Sequence, residues 1–169
     1  LSNADLVEAA CEPAAALGYC PFIDNTCDDC DYRDACEYLL RRFRALRRES
    51  PRLCLISGGE VTVKLPHATG IGGRNQHFAL AAAVEVARSP VERMAVLSVG
   101  SDGVDGNSDA AGAIADPSTV ARARAIGIDP EAALARFDSG RVFATLGDAV
   151  VTGPTGNNLR DLRLVLGSL

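Results

Sequence analysis

The run Leu53-Cys54-Leu55-Ile56 carries no charged or amide side chain on either side, the pattern of a strand buried on both faces. Such a strand needs cover above and below, and neighbouring segments supply helices to give it. From Tyr32 to Arg48 the apolar residues Ala35, Leu39, Phe43 and Leu46 return every three or four positions, the period of one helical face. Arg41, Arg42, Arg44, Arg47 and Arg48 fill the other faces, where they read as solvated charge near the helix carboxyl end. Gln76 to Arg88, rich in Ala and Val, is a second helix, and Met94 to Val99 is a strand.

The flanking segments repeat the alternation. Ser2 with Asp5 starts a helix in capping-box style, Pro13 should kink or split it, and Gly18 closes it before a strand from Tyr19 to Ile23. Ser57-Gly58-Gly59 reads as a turn, and Glu60 to Leu65 as a strand whose Val61, Val63 and Leu65 alternate with polar partners. Helices are expected from Ser118 to Ile126 and, after the Asp129-Pro130-Glu131 cap, to about Phe137. Ala149 to Thr152 and Leu159 to Leu166 close the chain as strands. The fold class is therefore α/β, a mixed sheet packed with helices in a single domain. Residues 1–50 form a helix-and-strand lead-in to the domain body at 51–169.

The chain has 169 residues, and its apolar share of 47% is ample for one packed core. A net charge of −5 supplies no basic field for nucleic acid or an anionic membrane, so neither partner is expected. No apolar run approaches the roughly 20 residues of a membrane helix, and no export signal opens the chain. A cytoplasmic location follows as an expectation. Leu1 stands where an initiator methionine would, so the chain is read as a piece of a longer polypeptide.

Three loops concentrate glycine with polar side chains. In Gly70-Ile71-Gly72-Gly73-Arg74-Asn75-Gln76, glycines permit close backbone approach, a helix amino end follows, and Arg74 offers a planar fork. These features favour an anion, although a plain glycine turn with Asn75 as cap reads equally well. As a residue of an exposed loop, Arg74 is expected to add little to stability. The loop from Gly100 to Gly112 holds Asp102, Asp105 and Asp109, a set that could hold Mg²⁺ or simply cap its own backbone. Its spacing lacks the twelfth-position Glu of a calcium hand. Thr152-Gly153-Pro154-Thr155-Gly156-Asn157-Asn158 reads alone as a turn, and Glu60 could be exposed by strand alternation. All three loops are expected along one edge of the sheet.

Taken in order, Ser57-Gly58-Gly59-Glu60, Gly72-Gly73-Arg74-Asn75-Gln76, Ser101-Asp102-Gly103, Asp109-Ala110-Ala111-Gly112, Asp138-Ser139, Thr152-Gly153-Pro154-Thr155-Gly156 and Asp161-Leu162-Arg163 form a series. The series resembles the type II glycerate kinase family, whose carboxy-terminal region is the MOFRL domain. The resemblance implies phosphorylation of D-glycerate by ATP with Mg²⁺ at a cleft shared with an amino-terminal Rossmann-like domain, which this chain does not contain. It implies catalytic roles for Arg74 and Asp102, with Asp102, Asp105 and Asp109 toward Mg²⁺. Glu60, Gly72, Gly73, Asn75, Thr155 and Asn158 would bind substrate or phosphate. The family's catalytic lysine belongs to the other domain, so the chain alone should be inactive, and Lys64 is no substitute. A homo-oligomer is compatible with the sequence.

Two other functions compete. A non-catalytic module could hold an anion with the same loops, and some family members bear the older label hydroxypyruvate reductase. Gly70-Ile71-Gly72-Gly73 follows a loop rather than a strand, which is the wrong setting for a dinucleotide fingerprint. Five of six cysteines lie between Cys11 and Cys36, including Cys27-Asp28-Asp29-Cys30. Lacking a second paired element or a nearby His, they are expected to be metal-free and reduced. Of the two histidines, His67 and His77, the latter follows Arg74 on a helix and is read as a surface residue, with a general base as the sharper alternative.

Overall fold

The structure is a computed structural model describing residues 1–64, 70–89 and 93–168. Its first helix, α1 (Asn3–Ala9), is closed by the reciprocal Ser2–Asp5 capping box. It ends at Ala10 and resumes as α2 (Cys11–Ala16). Pro13 falls in the first turn of α2, where its missing N–H leaves no helix bond unmade. Strand β1 (Cys20–Ile23) leads through a turn to α3 (Tyr32–Leu46), capped by Asp31, whose carboxylate accepts the Arg33 amide.

Strand β2 (Arg52–Gly59) corrects the expected turn at Ser57-Gly58-Gly59. The glycines continue the strand because α1 crosses directly over it, with Asn3 and Val7 filling the space a Gly58 side chain would need. The strand expected from Glu60 does not form. Thr62 makes an isolated bridge with Asp31, and Leu65 lies outside the described residues.

Helix α4 (Arg74–Val86) starts two residues earlier than its pattern suggests. Strand β3 (Met94–Gly100) precedes β4 (Gly112–Ala115), whose first residue ends the long polar loop. Helix α5 (Thr119–Ala125) falls within the expected Ser118–Ile126 span, and α6 (Pro130–Ala135) starts on its Asp129 cap. An unexpected α7 (Ser139–Leu146) follows, then the short β5 (Ala149–Val150) and β6 (Asp161–Ser168).

The sheet order is β1-β2-β6-β3-β4-β5, with β1 parallel to β2 and every other pair antiparallel. The last strand thus inserts at the centre, between β2 and β3. On one face Leu53, Leu55, Val96 and Val165 pack under Phe43 of α3 and Phe78 of α4. On the other, Cys54 and Ile56 meet Val7 and Ala14. Ala79, Leu80 and Ala83 turn a further side of α4 toward β4, α5 and Phe143 of α7. Small side chains let α4 be enclosed on nearly all sides, which accounts for its Ala content and weak amphipathicity.

Candidate active site

The carboxyl ends of β2 and β3 and the start of β6 lie together, because Gly59 and Gly100 both pair with Asp161. Their three connecting loops gather at this end of the sheet. Asn107 of the second loop accepts the Gly72 amide at 2.8 Å, and the Thr155 amide of the third donates to the Asp102 carbonyl at 2.9 Å.

Arg74, the first residue of α4, is held along two edges of its fork by three hydrogen bonds. Its Nε donates to Asp161 Oδ2 at 2.7 Å, and Nη2 donates to Asp161 Oδ1 at 2.9 Å and Glu60 Oε1 at 3.0 Å. Asp161 is wholly buried, whereas the Arg74 side chain is 36% exposed. The Asp161 hydrogen bonds, more than burial opposes, hold the guanidinium firmly in its charged form. Arg74 is therefore an anchored member of an ion-pair network, not a loose loop residue. Behind Asp161, the buried Arg163 gives one hydrogen bond to the Gly58 carbonyl and places Nη1 4.0 Å from Asp161 Oδ2. Its Nε and Nη1 have no hydrogen-bond partner among the described residues.

The amino end of α4 does attract an anion, but the anion is the protein's own. Asp105 accepts the Asn75 amide at 2.9 Å and the Gln76 amide at 2.8 Å, and Asn75 Nδ2 lies 3.3 Å from the same carboxylate. Burial pushes the Asp105 carboxyl up against the pull of these donors. Gly73 can have no side chain because the Asp105–Gly106 backbone presses on it, and Gly72 is likewise crowded by Ser139 and Gly140. Asn75 is also engaged inside the protein, where its Oδ1 accepts Ser98 Oγ at 2.6 Å.

Asp102, Asp105 and Asp109 are not brought together. No group of three His, Cys, Asp or Glu side chains among the described residues is arranged to hold a metal. Asp105 is committed to the helix and Asp109 is exposed. Asp102 Oδ1 accepts the Val104 amide at 3.1 Å, and no described residue bonds to Oδ2. One available carboxylate oxygen fits a Mg²⁺ that takes its other ligands from phosphate and water. Thr155 supports the loop through Ser101 and Asp102, and the Asn158 carboxamide accepts the Arg160 amide.

A cavity of about 560 Å³ lies beside Arg74, walled by Val61, Val63, Val104, Phe137, Ser139 and His77. His77 is a core residue rather than a surface one, stacked on Phe137 at 4.1 Å and tilted against Tyr32 at 4.5 Å. Neither ring nitrogen has a hydrogen-bond partner among the described residues, and burial lowers its pKa to about 4. An imidazole with a depressed pKa is neutral when folded but takes up a proton when unfolded below its ordinary value of 6.5. Its neutral burial is thus favourable above pH 6.5, and stability falls as pH drops through 6.5 toward 4. Urea unfolding should show the native protein losing about 2 kcal/mol more than His77→Phe between pH 7.5 and pH 5. Parallel losses in the two proteins would refute the assignment.

The chain is thus an α/β domain with a mixed sheet and three polar loops gathered at one end of its strands. The chain belongs to the MOFRL family, whose family model matches residues 53–161. It is 37% identical to the D-glycerate 2-kinase of Thermotoga maritima over 96% of its length, covering 41% of that protein. It is 39% identical over 95% of its length to a protein of Agrobacterium vitis bearing a hydroxypyruvate reductase name, of which it covers 37%. The crystal structure of glycerate kinase from Thermotoga maritima superposes with a TM-score of 0.88 at 35% identity, over 98% of this chain and 40% of that one. The chain thus spans about two fifths of the length of these relatives. The family model begins at residue 53, yet α1, α2, β1 and α3 pack on the same sheet.

Sequence reasoning had no role for Asp161 or Arg163. The available signal was their position on the alternating inward face of β6, where Asp161, Arg163 and Val165 are all buried. Charges at core positions of a strand call for partners.

Proposed function

We propose that the complete polypeptide is an ATP-dependent glycerate kinase, cytoplasmic, forming 2-phosphoglycerate from D-glycerate, and that this chain supplies one side of an interdomain active site. The supporting observation is the Arg74 guanidinium, fixed by Asp161 and Glu60 beside a cavity, in a chain 37% identical to a D-glycerate 2-kinase. Phosphoryl transfer depends chiefly on positioning and on neutralising charge, and an arginine locked at both edges serves both needs. Arg74 would face the transferring phosphoryl group or the glycerate carboxylate. Asp102 is the residue best placed to hold Mg²⁺, which when bound would neutralise phosphate oxygens. Asp105 and Asn75 brace the loop that carries Arg74, and Gly72, Gly73 and Asp105 line the same cavity as Arg74. Glu60, Thr155 and Asn158 border the same end of the sheet.

Adding D-glycerate and ATP to the full-length polypeptide and following ADP tests the reading. Stoichiometric ADP and 2-phosphoglycerate are expected. NADH consumption with hydroxypyruvate, and no ADP, would establish a reductase. Anion binding without turnover of either kind would establish a non-catalytic module.

A further inference from the structure

The turn Cys27-Asp28-Asp29-Cys30 lies against the wall of the candidate site without belonging to its chemistry. Cys27 lies in the turn at residues 26–29 and Cys30 directly follows it, a Cys-x-x-Cys spacing of the kind that a short disulfide ring closes. Both thiols are free, Cys27 buried and Cys30 partly exposed. Both residues line a surface cavity of about 320 Å³ that also includes Asp34, Glu37, Tyr38 and Arg41.

The two residues between the cysteines grip the site. Asp28 accepts the Glu60 amide at 3.1 Å and pairs with Arg160 at 2.7 Å, while Asp29 pairs with Arg160 at 3.0 Å. The Asp29 amide donates to the Glu60 carbonyl at 2.8 Å, and Glu60 in turn holds Arg74. Asp29 adopts a φ of 60°, a conformation uncommon for a residue with a side chain. A change in the ring from 27 to 30 therefore reaches Arg74 through Glu60.

We propose that Cys27 and Cys30 form a dithiol site oxidised by a small disulfide of the glutathione class, and that the new bond releases Glu60 from the 28–29 turn. Cys30 is the attacking group, being the more exposed, whereas burial pushes the Cys27 thiol up to about 12. The Cys30 thiolate attacks one sulfur of oxidised glutathione, the S–S bond breaks, and one glutathione thiolate leaves. Cys27 then gives up its proton as its sulfur attacks Cys30, and the second glutathione departs as thiolate. The protein loses two electrons and two protons, and oxidised glutathione is reduced to two thiols.

Oxidised glutathione added to the reduced protein, followed by intact mass and peptide mapping, tests the site. The expected product is lighter by about 2 Da, with Cys27 linked to Cys30, and fails to form in Cys30→Ser. Hydrogen exchange at the Glu60 amide should rise about tenfold in the oxidised form. A persistent mixed disulfide, a bond mapped to another cysteine, or unchanged Glu60 exchange in the Cys27–Cys30 disulfide would each overturn the proposal. In the full-length protein, oxidation should reduce ADP formation at least fivefold, reversibly with dithiothreitol, and leave Cys30→Ser unaffected. Unchanged activity after complete oxidation would sever the link to Arg74. This last arm rests on the kinase reading; if the reduced protein makes no ADP, that reading fails while mass and exchange still judge the dithiol.

Discussion

Arg74→Ala should lower turnover of the full-length polypeptide by about a thousandfold, the scale of losing an arginine that neutralises a transferring phosphoryl group. The structure adds a second consequence that the sequence does not suggest. Arg74 is the bidentate partner of a wholly buried carboxylate, so its removal strands Asp161 with only the more distant Arg163. After allowing for the solvent that reaches Arg74, the stability loss is about 2 kcal/mol. Arg74→Lys separates the two effects: it keeps the charge beside Asp161 but cannot form the fork. Recovered stability with turnover still depressed at least tenfold is expected from ADP assays and thermal melts. Turnover near that of the native protein in Arg74→Ala would remove Arg74 from the chemistry.

Asp161→Ala should be the more damaging change to the fold. Arg163 is completely buried, makes one hydrogen bond among the described residues, and rests 5.9 Å over the Phe78 ring. Without Asp161 its charge loses the carboxylate that most strongly opposes desolvation. Breaking a buried pair in this way costs about 3–5 kcal/mol, equivalent to a melting shift of roughly 10 °C in a domain of this size. The double variant Asp161→Ala with Arg163→Met should recover most of that loss, because the stranded charge goes with its partner. A single variant melting within about 2 °C of the native protein would show that Gly58 and Phe78 suffice for Arg163. Turnover should fall in both variants, since Arg74 keeps only Glu60 as an anchor.

The clearest sequence signals were those whose cause is local. The helix at Tyr32–Leu46 is written in a single apolar stripe, and the Asp129-Pro130-Glu131 start of α6 needs only its own cap. Ser57-Gly58-Gly59 misleads for the opposite reason. Glycine pairs favour turns in isolation, but here Gly58 passes beneath Asn3 and Val7 and Gly59 beneath Asp28, all distant in sequence. His77 misleads similarly: it sits one turn from the partly open stripe of Ala81, Val84 and Glu85 on α4, but Tyr32 and Phe137 cover it there.

By itself the sequence determined the α/β class, the order of most elements, the gathering of three polar loops at strand ends and the family to which those loops belong. Periodicity, capping and glycine-rich blocks carry that information over a few residues. Tertiary structure alone decided what each polar group faces. It set Asp105 rather than a ligand on the amino end of α4, and it placed Asp161 between Arg74 and Arg163 by inserting the last strand at the sheet centre. Charge partners are chosen by proximity and burial, and both arise only when residues 30 to more than 100 positions apart are packed together.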